Sequence, residues 1–185
     1  MPTLALVEAD AKACVACPLA ATRTQVVFAR GDGSSGLMFV GEAPGRDEDL
    51  QGAPFVGRSG QLLDRLVAEE LGLARDEYYV ANVVKCRPPG NRDPLPEEIA
   101  ACHHFLDAQI GEVAPRVIVT LGNFATRYLL ATTEGITRLR GRSYPYRDGI
   151  EIVPTFHPSA ALRSGGAVVA DMRADLIRAK RALAR

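Results

Sequence analysis

Apolar residues fall along this chain in two rhythms. Four short apolar runs, at 37–40, 78–84, 117–121 and 150–155, are bounded by Gly, Pro, Asn or charged residues, as buried strands tend to be. Between them the apolar positions recur at helical spacing. Residues 61–71 place Leu62, Leu63, Leu66, Val67 and Leu71 largely on one face and stop at Gly72. Residues 96–113 open with Pro-Glu-Glu, a first turn suited to a helix dipole. Asn123 is placed to cap a helix running to Leu130, and residues 170–183 form a basic amphipathic helix. Strands alternating with helices predict an α/β fold, a parallel sheet covered by helices on both faces. In such sheets the ligand site lies beyond the carboxyl ends of the strands.

The residues that follow each predicted strand agree with that rule. They are Gly41-Glu42-Ala43-Pro44-Gly45, then residues 85–92 (Lys-Cys-Arg-Pro-Pro-Gly-Asn-Arg), then Gly122-Asn123, then Phe156-His157-Pro158-Ser159. The unusual residues gather at one edge of the expected sheet. The chain has 185 residues and 47% hydrophobic residues, enough for one folded domain over 1–185. There is no internal repeat, and no apolar run is long enough to span a bilayer, so no membrane partner is expected. The formal net charge is +0, so any nucleic-acid surface must come from the distribution of charge. Arg138, Arg140, Arg142 and Arg147 make one basic stretch, and the final segment makes another; a solvated surface accounts for them equally well.

Four cysteines stand as Cys14-x-x-Cys17, Cys86 and Cys102. The spacing fits one metal centre joining two distant segments, either a 4Fe–4S cluster or structural zinc. Disulfides are the alternative. No apolar signal segment precedes Cys14, so an oxidising compartment is not indicated and a cytoplasmic setting is expected. His103 and His104 read as packing or surface residues.

Other residues have the chemistry for a site. The glycines of the 41–45 loop allow close backbone approach to a ligand, and Asp47, Glu48 and Asp49 follow as carboxylates able to orient water. Phe55, in a Gly-rich loop, can stack on a flat ligand or belong to the core. Asn82, inside an apolar run, can present a donor and an acceptor to the edge of a base, or clamp backbone. His157 can donate a hydrogen bond to a developing oxyanion, or be structural.

Together these segments resemble the family 4 uracil-DNA glycosylases, the iron–sulfur branch of their superfamily in bacteria and archaea. The resemblance rests on Gly41-Glu42-Ala43-Pro44-Gly45 with Glu48-Asp49, on Pro54-Phe55-Val56-Gly57, on residues 82–92, on His157-Pro158-Ser159 and on the cysteines, and it covers nearly the whole chain. It implies a three-layer α/β/α sandwich with a small central parallel sheet. It also implies a structural 4Fe–4S cluster on Cys14, Cys17, Cys86 and Cys102, and uracil-containing DNA as substrate.

A base inside a duplex cannot be reached, so the uracil must be flipped into a pocket. By the same resemblance Phe55 would stack on it and Asn82 would pair with its polar edge. His157 would steady the departing uracil anion at O2. Gly41, Glu42, Ala43, Pro44 and Asn91 would line the pocket. Other branches carry Asp or Asn where this chain has Ala43, which cannot act as a base. Glu42 is the first choice for activating water and Glu48 the second; alternatively an oxocarbenium-like sugar needs no strong base. Leu162 would wedge into the base stack or begin a helix in the core. Arg163 and Arg92 would meet phosphates, with Arg87, Arg140 and Arg142 as further candidates.

A monomer working on nucleoid DNA is expected. Three other readings compete. A relative that captures uracil-DNA covalently needs a nucleophilic His, which neither 45–60 nor 88–93 contains. A non-catalytic, metal-stapled DNA-binding module leaves Glu42, Asn82 and His157 without a purpose. A nucleotide-binding enzyme would need a phosphate-loop Gly-Lys-Ser/Thr, which the first loop lacks.

Overall fold

The computed structural model describes residues 3–185. Five strands form the central sheet: β1 (Leu37–Gly41), β2 (Tyr79–Asn82), β3 (Val117–Leu121), β4 (Tyr144–Pro145) and β5 (Glu151–Thr155), in the order β2-β1-β3-β5-β4. The first four in that order run parallel, and β4 adds an antiparallel edge. The helices are α1 (Leu4–Ala13), α2 (Arg46–Gln51), α3 (Arg58–Leu71), α4 (Pro96–Val113), α5 (Gly122–Leu130), α6 (Ile136–Leu139), α7 (Pro158–Ser164) and α8 (Gly166–Leu183).

Alternation along the strands divides the core in two, since successive strand side chains point to opposite faces. Met38, Val40, Ile118 and Ile152 pack with Val7, Ala11, Phe105, Leu106, Ile110 and Leu129 from α1, α4 and α5. Leu37, Phe39, Val119 and Val153 pack with Leu63, Leu66, Met172 and Leu176 from α3 and α8. This is the α/β/α sandwich expected. Each fully buried side chain of this size contributes roughly 1.5–3 kcal/mol, so both helical layers are needed to cover the sheet.

Several boundaries differ from the sequence pattern. The second strand ends at Asn82 rather than 84: the Val83 and Val84 N–H groups donate to the carbonyls of Gly41 and Glu42 as the chain leaves the sheet. Asn123 is not a cap. Helix α5 starts at Gly122, and Asn123 Oδ1 accepts from the Ile136 N–H at 2.7 Å, joining α5 to α6. Leu162 and Arg163, expected to meet DNA, lie on helix α7, which runs from Pro158 to Ser164.

Candidate active site

A cleft of about 1260 Å³ opens at the carboxyl ends of the parallel strands. Its walls include Glu42, Ala43, Pro44, Glu48, Phe55, Asn82, Asn91, Arg92, His157 and Arg163. The loops that looked unusual in the sequence therefore converge on one space.

The floor is built around Gly41. A Cβ at this position would stand 2.4 Å from Asn82 Oδ1 and 2.8 Å from the Phe55 ring, so only glycine lets both side chains lie over the end of β1. Asn82 is 2% exposed, and its Oδ1 is buried without a hydrogen-bond partner. A buried acceptor left open is costly and calls for a donor that binds there. Beneath it, Lys85 Nζ donates to the Asn82 carbonyl and to Gln109 Oε1, each at 2.6 Å; Gln109 in turn donates to the Phe28 carbonyl at 3.0 Å. The main chain of Asn82 is thereby fixed from inside the protein. The Phe55 ring lies 5.7 Å from the His157 ring, tilted by 35°.

Glu42 faces the cleft beside Asp93. Burial, and then the neighbouring Asp93 carboxyl with which it shares a hydrogen bond, push the Glu42 carboxyl up to about 7. Glu48 has a different employment. Its Oε1 accepts from the backbone N–H of Val56 at 3.1 Å and of Gly57 at 3.2 Å. Through these two bonds the carboxylate named as second choice for activating water also holds the Phe55 loop.

His157 caps helix α7. Its Nδ1 accepts from the Ser159 backbone N–H at 3.1 Å and lies 2.8 Å from Ser159 Oγ. A backbone N–H can only donate, so Nδ1 carries no proton and the neutral ring holds its hydrogen on Nε2. Among the described residues no protein group pairs with Nε2. Desolvation, reinforced by the charge of Arg163, holds the imidazole down at about 4, so it is neutral through the physiological range. Gly122 makes room for this residue: at φ +89° it has no Cβ to stand 2.9 Å from His157 Cβ.

With this geometry in place, the comparisons are informative. The model of the family described as the uracil DNA glycosylase superfamily matches residues 28–180. A type-4 uracil-DNA glycosylase of Thermotoga maritima is 48% identical over 160 residues, covering 86% of this chain and 83% of that protein. Another, of Sulfurisphaera tokodaii, is 44% identical over 169 residues, covering 88% and 77%. The chain belongs to the type-4 branch of the uracil DNA glycosylase superfamily. A type-5 uracil-DNA glycosylase of Thermus thermophilus is 30% identical over 171 residues, covering 82% of this chain and 77% of that one.

The four cysteines of this superfamily member line one small cavity together with Arg23, Lys85 and Phe105. No two of the four are joined as a disulfide. Two donors already address the sulfurs: Arg23 Nη1 stands 3.4 Å from Cys86 Sγ, and the Lys85 N–H stands 3.3 Å from Cys102 Sγ. Among the described residues no three Cys, His, Asp or Glu side chains stand in single-ion geometry.

The outer rim separates the basic candidates. Arg163 and Leu162 are exposed on α7, Leu162 at 44%. Arg92 lines the cleft, but Glu98 holds both of its terminal nitrogens, at 2.9 and 2.6 Å, which braces the loop carrying Asn91 and Asp93. Arg140, a further phosphate candidate, is engaged within the protein. It pairs with Asp171 at 3.1 Å and with buried Asp175 at 3.0 Å, and it stacks 5.4 Å over the Phe156 ring.

Sequence reasoning missed Asp93, Lys85, Gln109 and Arg30. Lys85 left a signal, a lysine closing an apolar run. The others are ordinary polar residues whose roles come from distant partners.

Proposed function

We propose that this chain removes uracil from DNA by hydrolysing the bond between uracil N1 and the deoxyribose C1′, with the residues of the cleft in the following roles. It is a DNA-repair glycosylase; the products are free uracil and an abasic site. The observation that carries the assignment of the base pocket is the buried, unpartnered Asn82 Oδ1 at the floor of the cleft. Uracil offers a donor at N3 for that oxygen and a carbonyl at O4 for the Asn82 amide. Cytosine presents an acceptor and an amine at those places, and mispaired polar groups in a dry pocket are costly. Phe55 stacks on the flipped base, and the backbone of residues 41–44 closes the pocket edge.

As the glycosidic bond breaks, its electron pair leaves with uracil and positive charge develops on the sugar. The Nε2–H of neutral His157 donates to uracil O2 and stabilises the anion; a donor of this kind contributes about 3 kcal/mol. Water adds to C1′ and loses a proton. Glu42, when ionised, takes that proton or stabilises the cationic sugar, and Asn91 lies within the same cleft to orient the water. Arg163 and the free edge of Arg92 meet phosphates, and Leu162 fills the space in the stack left by the extruded base.

The four cysteines suit a 4Fe–4S cluster. The donor set is four soft cysteine sulfurs around one small cavity, and N–H donors stand beside two of them. Bound there, the cluster would supply a structural tie and no electron to the hydrolysis. One copy of the chain contains the whole cleft, so a monomer suffices, and chromosomal DNA is its place of work.

The decisive experiment incubates the purified protein with uracil-containing oligonucleotide and then alkali. Strand breaks at uracil are expected, together with a loss of at least about 10²-fold in release for Asn82→Ala. An Asn82→Ala variant that releases uracil at the parent rate would remove the assignment of the pocket.

A further inference from the structure

Phe55 stands in the left-handed backbone region at φ +54°. A bulky residue adopts this conformation only where its surroundings compel it. The peptides on both sides are held by side chains. On the amino side, Arg30 Nε donates to the Pro54 carbonyl at 3.1 Å. On the carboxyl side, Glu48 Oε1 accepts from the Val56 and Gly57 N–H groups. Gly60 leaves the necessary room, since a Cβ there would fall 1.7 Å from the Phe55 carbonyl oxygen.

Arg30 is itself anchored. It pairs with Asp64, donates to the Arg75 carbonyl at 3.0 Å and lies 5.2 Å from the centre of the Tyr78 ring. Tyr78 donates its hydroxyl to the same Asp64 at 2.6 Å. The anchorage thus runs from α3 and the entry to β2 up to the ring that faces Asn82 and His157.

We propose that Glu48 and Arg30 are positioning residues that lock Phe55 in a strained pose, ready to stack on the extruded base. Glu48 acts through its two backbone hydrogen bonds and not as a base. Released from this clamp, residue 55 relaxes out of the left-handed region and the ring leaves the space over Gly41. A ring fixed beforehand meets the base without an ordering cost at the moment of binding. The inference rests on the reading that Phe55 stacks on uracil.

The test uses the full-length protein with its metal site intact and the variants Phe55→Ala, Glu48→Met, Glu48→Gln and Arg30→Met. Each is checked for cooperative thermal unfolding and then measured for inhibition by free uracil, KM and kcat. Phe55→Ala, Glu48→Met and Arg30→Met should each raise the uracil inhibition constant about tenfold, the scale of a lost aromatic–base stack. Glu48→Gln, whose amide oxygen accepts the same two N–H groups, should rescue most of what Glu48→Met loses.

Loss as severe in Glu48→Gln as in Glu48→Met overturns the proposal and returns Glu48 to a charge-dependent role. An unchanged inhibition constant in Glu48→Met, with Phe55→Ala impaired, also overturns it and leaves stacking intact. An unchanged constant in Phe55→Ala overturns both together. Should Glu48→Met fail to fold, Arg30→Met, which cuts the Pro54 anchor and leaves the two Glu48 hydrogen bonds in place, decides the same question.

Discussion

Two titrating side chains of the cleft are displaced in opposite senses, and the displacement makes the residue-scale reading testable. His157, held at about 4, stays neutral well below pH 6 and contributes no acid limb to activity there. Glu42, pushed up to about 7, is protonated in a large share of molecules at neutral pH and can serve as a base only when ionised. Uracil release is therefore expected to rise with pH through a limb near 7. Glu42→Gln should abolish the limb and slow release far more than it weakens DNA binding, and Asp93→Asn should move the limb to lower pH without removing it, since burial is the larger cause. Pre-steady-state release measured from pH 5 to 9 reads all three; a limb unmoved by Asp93→Asn would break the link between the two carboxyls. Stability carries its own sign. The folded Glu42 binds its proton more tightly than the unfolded chain, so its contribution is full below about 4.5 and is lost as pH rises through 7. The thermal midpoint of Glu42→Gln should gain on the parent between pH 5 and 8, read by calorimetry.

At the scale of elements, much was legible because local signals and tertiary packing agreed. Helix α4 has the bounds its sequence predicts, Pro96–Val113, since a proline, two first-turn glutamates and an apolar stripe all point the same way. The third strand also ran true, from Val117 to Leu121. Helix α1 was missed because its Ala-rich sequence shows no clear stripe, and α2 and β4 are too short to make a period. The site itself was legible as a set of strand ends. The clamp on Phe55 and the pairing of Glu42 with Asp93 were not, because they join residues from separate loops. The junction of β3 with α5 shows how tightly one element constrains another. Gly122→Ala would force a side chain into φ +89° and within 2.9 Å of His157 Cβ. We expect a loss of about 1–3 kcal/mol in unfolding free energy. A larger fall is expected in kcat than in substrate affinity, because the imidazole is displaced while Phe55 and Asn82 stay. A fall in affinity alone would place His157 outside the chemical step.

The cluster proposed for the cysteine cavity would hold the whole molecule at one further point, and its position separates two kinds of failure. Cys14 and Cys17 follow α1, Cys86 leads the loop that carries Asn91 and Asp93, and Cys102 lies in α4. A metal tie there would close a chain segment from 14 to 102 and fix the far wall of the cleft. In the near wall Phe55 and His157 are held by Glu48 and Ser159, away from the cysteines, while Asn82 is held by Lys85, which also borders the cysteine cavity. Binding energy at such a centre is folding energy, so Cys17→Ser or removal of iron by oxidation and chelation should lower the thermal midpoint by at least about 5 °C. DNA affinity should fall with it, as the loop bearing Arg92 loosens, and the salt dependence of binding should flatten because fewer phosphates are neutralised. Inhibition by free uracil should change less than about threefold, since the stacking ring keeps its own supports. Calorimetry, DNA binding at several salt concentrations and uracil inhibition, run on the same iron-depleted sample, check the three together. A parallel collapse of uracil inhibition would mean that the base pocket, too, depends on the cysteine centre for its shape.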